Sequence, residues 1–225
     1  MSPQQSGRES LSGRFLPSRR LAALLATGIL LTVAAVGAWM MGDRYSRHSK
    51  SLGTVTDRIG LNAPFITSPD AVVEQMVEMA DLKPDDVAYD LGCGDGRIII
   101  TAALKTGCHG VVYDIDPERV AEARRNVKLH GVEHLVEIRQ QDIFTVDLSD
   151  GQVVFMYVLP WMTRKLIPQL RQMQPGSRII SHQFNLGDEP ELSPEKTVTI
   201  RVEGDTSSHY VHRWITPLKA LPNVR

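Results

Sequence analysis

Between Tyr89 and Ile100 the chain reads YDLGCGDGRIII: an apolar run, three glycines spaced G-x-G-x-G, and a second apolar run. A strand that ends in such a turn and re-enters as a helix commits the chain to strand–helix alternation, because glycines permit backbone that L side chains resist. Flanking segments keep that alternation. Ser68-Pro69 reads as a helix start, with Ser68 as N-cap and Pro69 at the first helical position, and Val72, Val73, Met76, Val77 and Met79-Ala80 give that helix an apolar face. Val87 to Leu91 is a short strand, and the helix after the glycine turn runs to about Lys105. Gly110 to Ile115 predicts a second strand, Pro117 to His130 a helix, and Leu135 to Arg139 a third strand. Val153 to Val158, continuously apolar, predicts a central strand buried on both faces. A helix over Trp161 to Met173, a strand from Arg178 to Ser181, and two longer strands, Thr197–Val202 and His209–Ile215, complete the order. The expectation is an α/β fold: a Rossmann-like, seven-stranded, mostly parallel sheet with helices on both faces and a C-terminal antiparallel hairpin. Ligands of such sheets lie at the carboxyl ends of the strands, where strand order reverses.

The alternation begins only near Pro64. Of the 225 residues, 1–20 are rich in Ser, Gly, Gln and Arg and read as a disordered N-terminus. Residues 21–41, LAALLATGILLTVAAVGAWMM, carry no charge, and a helix of that length spans roughly 30 Å, the thickness of a bilayer core. They predict one transmembrane helix. A cleaved signal peptide, whose apolar core usually runs about 7–15 residues, and a buried helix are the alternatives. Residues 42–63 form a polar linker, 64–217 the globular domain and 218–225 a tail. Arg8, Arg14, Arg19 and Arg20 precede the span and Arg44, Arg47, Lys50 and Arg58 follow it, so charge alone does not orient it. Net charge is −1, which gives no reason to expect a nucleic-acid partner. Cys93 and Cys108 make neither a disulfide framework nor a zinc spacing.

Which ligand the glycine turn suits depends on its neighbours. A dinucleotide turn reads G-x-G-x-x-G, but Arg97 stands at the sixth position after Gly92, Gly94 and Gly96. Asp90 before the turn and Asp95 within it would repel a pyrophosphate, by about 1 kcal/mol or more per close pair at intermediate dielectric. S-adenosylmethionine (SAM) carries an ammonium and a sulfonium, which an acidic turn suits. Asp114, at the end of the second strand, stands near the spacing at which an acid pairs with ribose hydroxyls. Asp142, after the third strand, can accept from an adenine amino group while Ile143 packs on the ring. Cofactor-binding candidates are therefore Asp90, Gly92, Cys93, Gly94, Asp95, Gly96, Asp114, Ile115, Asp142 and Ile143.

This pattern, from Asp90-Leu91-Gly92-Cys93-Gly94-Asp95-Gly96 through Asp114 and Asp142, resembles the class I SAM-dependent methyltransferases over about residues 64–216. A narrower resemblance is to the small membrane-anchored lysine methyltransferases that modify the ATP synthase c-subunit and the adenine nucleotide translocase. It rests on the hydrophobic N-terminal segment, on Pro64-Phe65-Ile66-Thr67-Ser68 and on Asp90 to Ile98. The resemblance implies methyl transfer from SAM to a protein lysine in or near a membrane. The alternatives are a methyltransferase for a small molecule or lipid, and a non-catalytic membrane adaptor that kept the fold.

Two residues are candidates for the chemistry. Tyr157, after the fourth strand in Tyr157-Val158-Leu159-Pro160-Trp161, can orient an amine by its hydroxyl or by cation–π contact, and His182, after the fifth strand, is a candidate proton acceptor. Trp161 is expected to pack on the sheet at its helix start. No metal site is expected, because His209 and His212 are three apart on a strand and point to opposite faces. Arg97 is expected to pair with an acid, and Arg119, Arg124, Arg125 and Lys128 to form a solvated helix face. Because SAM is made in the cytosol, the catalytic domain is expected on the SAM-containing side, cytoplasm or matrix.

Overall fold

The computed structural model describes residues 65–187 and 192–218. The elements, in chain order, are α1 (Asp70–Ala80), β1 (Val87–Leu91), α2 (Arg97–Thr106), β2 (His109–Asp114), α3 (Pro117–Leu129), β3 (Val136–Gln140), a 3-10 turn (Ile143–Thr145), β4 (Val153–Met156), α4 (Pro160–Leu170), β5 (Arg178–His182), β6 (Lys196–Arg201) and β7 (Ser208–Ile215). They form a seven-stranded sheet in the order β3-β2-β1-β4-β5-β7-β6. The strands β1 to β5 pair in parallel, while β7 runs antiparallel to both β5 and β6. This is the Rossmann-like sheet with an antiparallel C-terminal hairpin that the sequence predicts. Strand order reverses between β1 and β4, so the site is expected at their carboxyl ends.

The core lies on both faces of the sheet. Along β4, Val153 and Phe155 pack with residues of α1, α2 and α3, while Val154 and Met156 pack with Leu166 and Leu170 of α4. That alternation is the period of a strand buried on both sides. Gly110 in β2 faces Ile99 of α2 so closely that a Cβ there would overlap the isoleucine side chain; glycine lets this helix sit down on the sheet.

Helix α1 differs from expectation at its start. Pro69 is the N-cap and no side chain caps the helix, because the Ser68 hydroxyl turns away to His182 Nδ1, 2.8 Å distant. A cap contributes about 1 kcal/mol, whereas full burial of one Val or Met side chain contributes about 1.5–3 kcal/mol. With Val72, Val73, Met76, Val77 and Met79 buried, packing holds α1 without the cap. Its C-terminus is held by Arg178 of β5, whose Nε donates to the Ala80 carbonyl while its guanidinium pairs with Asp86.

The expected span over residues 21–41, with the flanking segments 1–20 and 42–63, lies outside the described residues. Among the described residues no helix is long and apolar enough to cross a membrane.

Candidate active site

The glycine turn is fastened to the end of β2 by its own amides. Gly92 and Cys93 both donate to the Tyr113 carbonyl, at 2.9 and 3.0 Å, and Gly96 donates to the Cys93 carbonyl. Gly94 donates to Asp114 Oδ2 at 3.0 Å, and the Arg97 amide to Asp95 Oδ1 at 3.2 Å. A pyrophosphate site needs amides pointing at the ligand, and these are already committed to protein acceptors. Gly94 has φ +56, and a Cβ there would run into the Phe65 ring. The turn thus packs tightly under a segment that precedes α1.

The acids divide into three kinds. Asp90 is 1% exposed, and its Oδ2 has no hydrogen-bond partner. Burial first, then the neighbouring Asp95 and Asp114, push its carboxyl up to about 8. A cationic ligand in the turn is what such an orphaned acceptor fits. Asp95 is of the second kind: it forms an ion pair with Arg97 at 2.6 Å, so its charge is matched within the protein. The expected pairing of Arg97 with an acid holds, and it removes Asp95 as a free charge for a ligand.

Asp114 and Asp142 are of the third kind. Asp114 Oδ1 accepts from the Asp116 amide and Oδ2 from the Gly94 amide. Each carboxylate oxygen has a further lone pair, so the paired hydroxyls of a ribose can be accepted without breaking either bond. Burial raises the Asp114 carboxyl above its ordinary value, opposed by those two amides. Asp142 Oδ1 accepts from the Phe144 amide at the head of the 3-10 turn, leaving Oδ2 for an external donor. That turn is held to α4 by Gln169, which donates to the carbonyls of Ile143 and Val146.

These acids open onto one cavity. Gly92, Cys93, Asp95, Asp114, Ile115, Asp142, Ile143 and Tyr157, all singled out in the sequence, line it together. Asp90 lies beneath the turn, and Gly94 and Gly96 shape the turn from behind. Cys93 is buried, and burial followed by the neighbouring carboxylates holds its thiol well above its ordinary value, so it is no nucleophile here. Among the described residues no cluster of three or more His, Cys, Asp or Glu is placed to hold a metal.

Several lining residues are not among the site candidates read from the sequence, although Phe65 to Ser68 belong to the stretch that carries the narrower resemblance. Phe65, Ile66, Thr67 and Ser68 form one wall, and Asp116, Arg119 and Phe144 another. Arg119 is no member of a solvated face: its guanidinium lies 4.5 Å from the Phe65 ring centroid and pairs with Glu122. Arg124, Arg125 and Lys128 are on the outer side of α3 and are exposed as expected. Asp116 is the N-cap of α3, accepting from the Glu118 amide, and only the Asp-Pro pair could have marked it.

Beyond the glycine turn, β4 ends at Met156 rather than at the expected Val158, and releases Tyr157 to Leu159 as the far wall. The Tyr157 ring lies 4.0 Å from that of His182 and 6.3 Å from that of Phe184. Burial raises the Tyr157 phenol above its ordinary value. His182 does not line the cavity; it sits fully buried behind Tyr157, and burial, then His209 and His212, push it down to about 3. A ring so placed is neutral and does not itself take a proton from a ligand. Trp161 corrects another expectation, being 40% exposed and packed against Phe144, because α4 presents that position outward instead of toward the sheet.

A family model described as the ANTKMT methyltransferase domain matches residues 90–193. A protein-lysine N-methyltransferase of Saccharolobus islandicus is 37% identical over 156 residues, 68% of this chain and 94% of that protein. A lysine N-methyltransferase of the ATP synthase c-subunit, from Rattus norvegicus, is 29% identical over 60% of each chain. The crystal structure of an RNA methyltransferase from Salinibacter ruber, in complex with S-adenosyl-L-homocysteine, is 43% identical with a TM-score of 0.62, covering 70% of this chain and 97% of that one. S-adenosylhomocysteine is what SAM becomes once its methyl is given up, and the acidic, amide-satisfied turn described above fits the same molecule. The chain is a SAM-dependent methyltransferase and belongs to the family that carries the ANTKMT methyltransferase domain.

Proposed function

We propose that this methyltransferase acts on the side-chain amine of a protein lysine, and that residues 21–41 hold it at a membrane with its catalytic domain on the SAM-containing side. The observation that carries the acceptor class is the far wall of the cavity. Tyr157, Phe184 and Met162 present ring faces and apolar surface there, while the guanidiniums that line the cavity, Arg97 and Arg119, are matched by Asp95 and Glu122. Such a wall attracts an ammonium through ring faces and, by excluding water, favours its neutral form. The Saccharolobus and Rattus relatives, both named as lysine methyltransferases, support the same reading.

In this assignment Asp114 receives the ribose hydroxyls, Asp142 the adenine amino group, and Ile115 and Ile143 the adenine faces. Asp90 answers the ammonium of the methionyl end, directly or through water, and Gly92, Cys93 and Gly94 supply close backbone. Bound SAM supplies a methyl group on a positively charged sulfur. The protein's own task is to hold a neutral amine in line at about 3 Å, which Tyr157 serves as the orienting group.

The test is to incubate the full-length protein with methyl-labelled SAM and membranes from its own cells, then digest separately with protease and with ribonuclease. Label that is lost to protease, survives ribonuclease and is recovered as methyl-lysine is the expected result. Label recovered in RNA would overturn the lysine assignment in favour of the acceptor named for the Salinibacter relative, and the chain's net charge of −1 weighs against that outcome.

A further inference from the structure

Ser68, which lines the cavity, begins a chain of hydrogen bonds that the methyl-transfer geometry does not use. Its Oγ lies 2.8 Å from His182 Nδ1, His182 Nε2 lies 3.1 Å from His209 Nδ1, and His209 Nε2 lies 3.0 Å from Asp205 Oδ2. The four residues come from the segment before α1, the end of β5, β7, and the turn between β6 and β7. Exposure rises outward from the buried pair: Ser68 is 3% and His182 0% exposed, and the side chains of His209 and Asp205 are 13% and 38% exposed. The chain therefore runs from the cavity to solvent.

We propose that Ser68, His182, His209 and Asp205 are a proton relay that carries a proton from the methyl acceptor to the surface. The proposal rests on the reading above that the acceptor is an amine, which arrives as an ammonium and must lose a proton before it can attack. With both imidazoles neutral, the carboxylate at the outer end fixes every bond direction. Asp205 accepts from His209 Nε2–H; His209 Nδ1 then accepts from His182 Nε2–H; His182 Nδ1 then accepts from the Ser68 hydroxyl. The Ser68 oxygen is left with lone pairs for a donor in the cavity.

The step balances as a concerted shift. An N–H bond of the ammonium breaks and its proton joins Ser68 Oγ, while the hydroxyl proton passes to His182 Nδ1. His182 gives its Nε2 proton to His209 Nδ1, and His209 gives its Nε2 proton to Asp205, which releases it to water. The amine and both rings end neutral, the rings in their opposite tautomers. Once product leaves, the cavity is open to water, and the reverse shift into it restores the resting state. At no point does His182 hold a charge, which suits a ring that meets Ser68, the Tyr157 ring and His209 and feels His212, while the Arg97 guanidinium is directed to the Ser68 carbonyl. A chain that merely fastened β5 to β7 would need no hydroxyl at the cavity.

Two measurements on the full-length protein test this. Nitrogen-15 NMR of the histidine rings is expected to find His182 and His209 both protonated at Nε2; an Nδ1-protonated or charged His182 would overturn the relay whatever the acceptor. Single-turnover methyl transfer to the labelled protein substrate is then compared for wild type, Asp205→Ala and His209→Phe between pH 6.5 and 9.5. The variants are expected to be slower by about tenfold or more at pH 7, in keeping with proton-transfer catalysis, and to approach wild type as the pH nears the free lysine value of about 10.4. SAM affinity by calorimetry is expected to be unchanged. A deficit equal at every pH, or none, would overturn the relay. A wild type that methylates no lysine would instead refute the acceptor reading, and the tautomer measurement would still decide the relay.

Discussion

Asp90 is a carboxyl kept from water, with one oxygen lacking any donor, and its titration is a handle on the cofactor. Its folded value of about 8 lies above the ordinary 3.8, so in the ligand-free protein it holds a proton that the unfolded chain has released. Between about pH 4 and pH 8 stability therefore falls as pH rises, because the folded state binds more protons than the unfolded one. A cationic ligand reverses the preference: it binds the ionised form and must expel the proton. SAM affinity is expected to rise by up to about tenfold per pH unit below pH 8 and to level above it, with close to one proton released at pH 7. Calorimetry in buffers of different ionisation heat measures that release, and in Asp90→Asn it should vanish; a pH-independent affinity in wild type would mean Asp90 does not meet the cofactor's charge. At this scale the residues legible in the sequence are those whose meaning is local. Asp114 and Asp142 stand at strand ends, which periodicity marks. Phe65, Ser68 and Arg119 gain their roles from Gly94, His182 and Phe65 respectively, partners that lie far along the chain, so the Pro64–Ser68 stretch shows a resemblance but not what its side chains touch.

At the level of elements, the Arg178–Asp86 pair decides how firmly α1 seats on the sheet. Both side chains are largely buried, and Arg178 also serves the last turn of α1 through the Ala80 carbonyl. Removing one partner leaves an unmatched buried charge, at a cost of about 3–5 kcal/mol. Arg178→Ala is therefore expected to lower the urea midpoint sharply, and unfolding curves that coincide with wild type would contradict the assignment. The elements themselves were legible because apolar runs, Pro117 and the glycines punctuate them. What no run of residues states is that β7, and not β6, lies against β5. Either strand of a hairpin can dock, and the choice is made by burial: Val211 and Trp214 of β7 enter the core, with the Trp214 indole N–H donating to the Leu192 carbonyl. The edge strand β6 keeps Lys196, Thr197 and Thr199 toward solvent, as an edge requires.

For the whole molecule, the proposed anchor makes a simple claim about where the protein is found. Full-length chain is expected in the membrane fraction, resistant to high salt, and deletion of residues 21–41 is expected to move it to the soluble fraction with SAM affinity retained. Full-length protein in the soluble fraction would refute the anchor. Legibility at this scale was uneven: the uncharged run is plain in the sequence, but the positive charges on both sides of it cancel as a signal of direction. The described domain adds something that concerns its synthesis. Ser68 is held by His182, 114 residues later, and Phe65, Tyr157 and Phe184 together wall one cavity. A chain made from its amino end thus displays the first wall of this cavity early and acquires the last, that of the proposed acceptor side, only after β5 is complete. A ribosome-bound intermediate shorter than this lacks the Phe184 face of the proposed acceptor wall, and one that ends before β7 also lacks the relay, so methyl transfer rather than capture of SAM reports that synthesis has passed these strands.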